Sequence, residues 1–220
     1  MLNKDIISAS LPTLSLNDTV YQALQLMADY HVSHLPVVTD EKYTGLASED
    51  QLLNIEDVSQ ILEQLQSELS SLSVDANKHF IEAVRITNDN ALSVLPVTEN
   101  GNIWVGAITS TDLLKNLAKL NGIEEPGGII VLELEKKEFS FSQISKLVET
   151  NDAYITQLNT HFDHNLEVLF VTIKINKFEI SDIVATFQRY EYAIKYYFGE
   201  ELYENELKTN YDHLMNYLNI

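Results

Sequence analysis

A chain of 220 residues, 45% of them apolar, has material for one large domain or two small ones with a sizeable core. Its 14 basic residues stand against 33 acidic ones, a net charge of -19, which excludes the basic footprint of a nucleic-acid or anionic-membrane partner and favours solubility. Cysteine is absent, which excludes disulfides, thiolate catalysis and zinc–thiolate sites, and no run approaches the roughly 18 apolar residues of a membrane span. The opening MLNKDIISAS lacks the apolar core of a secretion signal, so a cytoplasmic location is expected.

Asp18 or Thr19 can cap a helix running to Tyr30, with Val20, Ala23, Leu24 and Met27 at helical spacing. His34 to Thr39, centred on LPVV, is too short and too rich in valine for a helix and reads as a strand. A turn at Asp40-Glu41-Lys42 leads to a strand over Tyr43 to Ala47, and Ser48 opens a helix to about Ile55. From Glu56 to Leu72, Val58, Ile61, Leu62, Leu65, Leu69 and Leu72 keep a helical period and predict an amphipathic linking helix.

The pattern then starts again. Ala23 answers to Ala83, Ser33 to Ser93, and Leu35-Pro36-Val37 to Leu95-Pro96-Val97. Each copy next reaches a glycine, Gly45 or Gly106, with a small hydroxyl residue three places on. An internal repeat defines architecture before any single motif does, and it places a ligand between the two halves, near their pseudo-twofold axis. The second copy carries Val84 and Ile86 on a helix, a strand over Ser93 to Thr98 and a hairpin turn at Glu99-Asn100-Gly101. Its return strand is Ile103 to Ile108, and Thr109 or Ser110 caps a helix to about Leu120.

Gly122 to Gly128, with three glycines and Pro126, reads as a linker. Beyond it come a strand (Ile129 to Leu134), a helix capped by Ser140 and a strand (Ala153 to His161). A turn at Asp163-His164-Asn165 follows, then a strand from Leu166 to Ile175, a helix (Ser181 to Tyr190) and a strand (Tyr192 to Tyr197). That order is the βαββαβ, ferredoxin-like arrangement. A final helix is expected over about Glu200 to Leu218, and seven of the eleven tyrosines fall between Tyr190 and Tyr217, which suits a dimer contact.

The Asp18-Thr19-x-x-x-Ala23 opening, HVSHLPVV, and GAITSTD from Gly106 to Asp112 together resemble a tandem pair of cystathionine-β-synthase (CBS) domains. The resemblance covers residues 1–121, with one copy over about 1–60 and the other over about 61–121. The unit at 129–198 resembles an ACT domain, after the linker at 122–128 and before a terminal segment at 199–220. A CBS pair followed by an ACT-like unit is similar to the acetoin-utilisation accessory family.

The resemblance implies an α/β (α+β) fold and an adenosine-type ligand, AMP or adenosine. It puts Asp112 on the ribose hydroxyls, Thr109 on phosphate or ribose, Ala107 beneath the base and Thr111 beside the ribose. Val32 and Pro12 would belong to an apolar slot for adenine. The chemistry suits the residue types: a carboxylate can accept from both hydroxyls of a cis-diol, and a helix start favours an anion. Thr109 and Asp112, three apart, share one side of the first helical turn. The first copy keeps Ser48, but Gln51 stands at the acid position. Asp50 comes one residue early, about 100° around a helix, so this second site is degenerate.

Thr109 with Asp112 also fits a plain helix cap, and that reading stays open beside the ligand one. Lys78 and Arg85 are the nearby cations the sequence offers, which favours adenosine or a monophosphate over ATP. His31 with His34, and His161-Phe162-Asp163-His164, lack the further ligands of a designed metal site. No nucleophile–base arrangement is visible, so no enzyme activity is expected. The turn from Glu135 to Ser140 has no glycine for close ligand approach, which favours an assembly role for the ACT-like unit. The expected whole is a homodimeric regulatory module acting by population shift on an unknown protein target.

Overall fold

A computed structural model describes residues 1–199, which form two compact units divided between Ala118 and Lys119. The terminal helix expected over 200–218, with Tyr203, Tyr211 and Tyr217, lies outside the described residues. Among the described residues no helix is long and apolar enough to cross a membrane.

In the first unit each copy is built around one helix and one hairpin. Helix α1 (Val20–Tyr30) starts at a full capping box. Thr19 Oγ1 accepts from the Gln22 amide at 3.2 Å, and Gln22 Oε1 accepts from the Thr19 amide at 2.8 Å. It buries Val20, Ala23 and Met27, and His31 ends it in the left-handed conformation. Strands β1 (His34–Thr39) and β2 (Lys42–Ser48) follow, then a single turn of helix, α2 (Glu49–Leu52). The second copy repeats this with β3 (Val74–Asp75), α3 (Phe80–Asp89), β4 (Val94–Glu99), β5 (Ile103–Thr109) and α4 (Ser110–Leu120). The hairpin strands match the expected spans to within a residue or two. Helix α2 is shorter than the sequence suggests and stops at Leu52 rather than Ile55.

The amphipathic helix expected over Glu56 to Leu72 does not form. Leu62–Glu68 is a 3₁₀ segment, and the flanking residues are irregular. The reason lies in what this backbone does for its neighbours. The carbonyls of Gln60 and Val58 accept from the first free amides of α1, Val20 at 2.9 Å and Tyr21 at 3.0 Å. Leu62 and Glu63 amides donate to Asp18 and Leu16, and Ser70 pairs both ways with Leu46. A continuous α-helix would have spent these groups internally. The apolar period is real, because Leu62 and Leu65 are buried in the first copy's core, but it does not require an α-helix.

The five strands make one sheet in the order β1-β2-β5-β4-β3. The hairpin tips join the copies: Tyr43 N–H donates to Asn102 O at 2.8 Å and Trp104 N–H to Glu41 O at 2.9 Å, with the two rings stacked 6.4 Å apart. The lead-in segments cross over. Ile7 and Ser8, which precede the first copy, lie on Gly106 and Ala107 of the second; Leu69 and Ser70, which precede the second, lie on Gly45 and Leu46 of the first. Both glycines are required by this approach. A β-carbon on Gly106 would come within 2.5 Å of Ile7 Cγ2, and one on Gly45 within 2.6 Å of Leu69 Cβ.

The second unit contains β6 (Ile129–Leu134), α5 (Phe141–Glu149), β7 (Ile155–Asp163), β8 (Val168–Ile175), α6 (Ser181–Arg189) and β9 (Ala193–Phe198). All its pairings are antiparallel, in the order β7-β8-β6-β9, the split βαβ topology. Alternate residues of β6 and β8 are buried against Ile144, Leu147 and Val148 of α5 and Ile183, Val184 and Phe187 of α6. Residues 120–122 belong to this unit: Gln157 Nε2 donates to Leu120 O at 2.8 Å, and the Lys174 ammonium to Gly122 O. The chain therefore divides a few residues before the glycines that suggest a linker. Mixed α and β structure in two sheets agrees with the expected fold class.

Candidate functional site

Strand β5 delivers Ala107 and Thr109 to the start of α4, and the helix's first turn carries Thr111 and Asp112. Thr109 Oγ1 accepts from the Asp112 amide at 3.1 Å and donates to Asp112 Oδ2 at 2.6 Å. So the cap expected from the sequence is present, and the hydroxyl and the carboxylate share one side.

A residue the sequence reading did not single out completes the group. Ser8 arrives on the crossed lead-in segment, with its amide donating to Ala107 O at 2.9 Å. Its hydroxyl donates to Asp112 Oδ2 and accepts from the Thr109 amide at 3.2 Å. Lys115, one turn along α4, sets its ammonium 3.7 Å from Asp112 Oδ1. Partial burial pushes the Asp112 carboxyl up. The hydroxyls of Ser8 and Thr109, the Lys115 ammonium and the Thr109 amide pull it down, and the outcome lies below the ordinary carboxylate value. Asp112 is therefore an ionised acceptor at neutral pH.

Of the residues expected in the site, Ala107, Thr109 and Asp112 are brought together around Ser8. Thr111 is exposed on the helix surface. Val32 follows α1 and packs partly buried against the first copy's core, and Pro12 is half-buried in the lead-in segment. Those three take no part in the hydrogen bonds that assemble the group. The cation beside the carboxylate is Lys115, not Lys78 or Arg85; Arg85 is exposed and pairs with Asp89 at 3.4 Å.

The corresponding place in the first copy is different chemistry. Ser48 precedes α2 without making a side-chain cap, and Gln51 Nε2 donates to Glu68 O at 3.4 Å. Ser70 occupies the position of Ser8, but its hydroxyl accepts from the Leu72 amide at 3.3 Å. Among the described residues no carboxylate joins this group. Asp50 is exposed, and its carbonyl accepts from Asn54 Nδ2.

In the second unit the turn from Glu135 to Ser140 is closed by its own side chains. Glu138 Oε2 accepts from the Glu135 amide at 3.1 Å, and Lys137 pairs with Glu135 at 2.7 Å. Ser140 caps α5 by accepting from the Gln143 amide. At the other hairpin Asp163 Oδ1 accepts from the amides of Asn165 and Leu166, an ordinary turn role. Among the described residues no group of three or more His, Asp or Glu is placed to hold a metal ion.

Comparison with known proteins adds the family. The CBS domain model matches residues 4–58 and again residues 67–119. Inosine-5'-monophosphate dehydrogenase of Methanocaldococcus jannaschii is 24% identical over 167 residues, 75% of this chain and 33% of that protein. The chain spans about a third of the length of the curated relatives it matches. Among solved structures, a protein of Vibrio cholerae named for acetoin utilization is 23% identical, with a TM-score of 0.48, over 57% of this chain and 98% of that one. The protein CBSX2, solved in complex with AMP, is 21% identical, with a TM-score of 0.44, over 54% of this chain and 97% of that one. The two matched segments fall on the two copies of the sequence repeat, and the first unit of this chain belongs to the CBS domain family as a tandem pair.

Proposed function

We propose that this chain is a non-enzymatic regulatory protein whose CBS pair binds an adenosine-type ligand, AMP or adenosine, at the second copy's Thr109–Asp112 turn. The observation that carries the reading is the asymmetry of the copies. Among the described residues only the second joins an ionised carboxylate to a hydroxyl and a helix-start amide, the set that suits a ribose diol. Thr111 and Ala107 flank the same turn, and Val32 and Pro12 remain the proposed walls for the base. With Lys115 as the cation beside the acid and a net charge of -19, a nucleoside or monophosphate suits the site better than a polyphosphate.

Calorimetric titration with AMP, adenosine, S-adenosylmethionine and ATP tests this. Saturable binding of at least one of the first two is expected, lost in Asp112→Ala and retained in Gln51→Ala. Equal effects of the two substitutions would refute a single site. One observation favours a second reading, a ligand-free interaction module: the Asp112 carboxylate already receives hydrogen bonds from its own chain. No response to any of these compounds at millimolar concentration would establish that reading instead.

The reading extends to assembly. Leu53 and Leu114 stand at matching positions, eight residues after Gly45 and Gly106, and are 65% and 68% exposed. Equivalent exposed leucines on both copies suit a self-complementary contact between two molecules, so a homodimer is part of the proposal. The ACT-like second unit would support that assembly, and the protein target is unspecified.

A further inference from the structure

We infer that Ser8 is a built-in competitor for the Asp112 carboxylate, a side-chain latch that a ligand's second ribose hydroxyl must turn out. The inference rests on the nucleoside reading given above. It starts from how the carboxylate is occupied. Oδ2 receives two hydroxyl protons, from Thr109 at 2.6 Å and from Ser8, while Oδ1 has the Lys115 ammonium at 3.7 Å. The Ser8 oxygen also takes the Thr109 amide. One hydroxyl of the chain thus spans an acid and a helix-start amide, the same pair of groups a ligand hydroxyl would use.

A cis-diol held by one carboxylate offers a proton to each oxygen. Oδ1 can receive the first hydroxyl with the latch closed. Oδ2 can receive the second only after Ser8 leaves it. Leaving is a small motion, because the Ser8 backbone is pinned by its amide on Ala107 O and by the Ile7 side chain over Gly106. A turn about one side-chain bond suffices, with no movement of the segment. The first copy shows that this is not a general property of the crossed segments. Ser70 is pinned to Leu46 in the same way, yet its hydroxyl accepts from a backbone amide, and the matching side chain is Gln51.

The latch has a chemical signature that a purely structural serine lacks. It acts against ligands carrying both ribose hydroxyls and is indifferent to those carrying one. AMP and 2'-deoxyadenosine monophosphate are therefore titrated into the full chain as wild type, Ser8→Ala and Ser8→Thr. Ser8→Ala is expected to bind AMP about tenfold more tightly, the scale of one hydrogen bond to a charged group no longer competed for. The same substitution is expected to change deoxy-AMP binding less than twofold. Ser8→Thr, which keeps the hydroxyl, is expected to behave as wild type and controls for loss of folding. Unchanged or weaker AMP binding by Ser8→Ala, while wild type still binds, would overturn the latch and leave the nucleoside site standing. Absence of binding of either nucleotide to any of the three proteins would overturn both.

Discussion

His34 sits at the junction of the two copies, and its protonation state is set by geometry. Ser93 of the opposite copy directs its amide to His34 Nδ1 at 3.3 Å and places its hydroxyl 3.2 Å away. That hydroxyl accepts from the Ser33 amide at 2.9 Å, which leaves its proton for the ring. Nδ1 is therefore an acceptor and the ring proton is on Nε2. Burial lowers the His34 pKa, and Asp50 and Glu49, which favour the charged ring, do not reverse it. The sign follows from linkage. The unfolded chain takes up this proton near pH 6.5, and the folded chain resists it to a lower pH, so stability falls as pH drops through that interval and is flat above it. A steeper fall in melting temperature between pH 7 and 5 is expected for wild type than for His34→Asn, whose amide oxygen stays an acceptor. Parallel curves would remove His34 from the account. Asp112 works in a separate, more acidic window: its depressed pKa contributes stability that is lost as pH falls below the ordinary carboxylate range.

Hairpins and lead-in segments show what local pattern can and cannot reveal. In the second copy the turn is Asn100-Gly101, both left-handed, the chemistry such a turn demands. In the first copy Asp40 and Glu41 hold the same conformation at φ 50° and 60° without a glycine. Glu41→Gly should stabilise the protein by about 0.5–1 kcal/mol, since the left-handed region costs an ordinary side chain and not glycine. A fall in the denaturant midpoint would contradict it. Gly106→Ala should instead destabilise by about 1–3 kcal/mol, because its new methyl group meets Ile7 and the pinned segment must shift. β1 and β4 were legible because LPVV and VLPV are short valine-rich runs between turn residues. Thr109 and Asp112 were picked out through the resemblance to CBS domains, and the cap they form is the part that spacing three apart on a helix made legible. Ser8 was not: its partners lie 101 and 104 residues away, and no spacing rule reaches that far. The stretch before the second copy misled for the opposite reason. Its leucines do face a core, but its backbone is committed to the ends of other elements.

At the scale of the whole molecule the two units each carry a separate core and answer to different experiments. Replacement of both Leu53 and Leu114 by Asp is expected to convert a dimer to a monomer by sedimentation while each unit keeps its melting behaviour; a wild-type chain that is already monomeric would refute the contact. The βαββαβ order of the second unit was readable from alternating strands and one good cap at Ser140. Within the first unit the crossed segments have a consequence for how the repeat can be divided. Each copy ends its own hairpin in a seat shaped for a segment belonging to the other: Ile7 fills the seat at Gly106, and Leu69 the one at Gly45. Neither half is closed on its own. Residues 1–60 made alone would present an unfilled seat at Gly45 and a lead-in segment with nothing to lie on. The two copies are thus tied by exchanged lead-in segments, and the same exchange lets Ser8, near the start of the chain, reach Asp112.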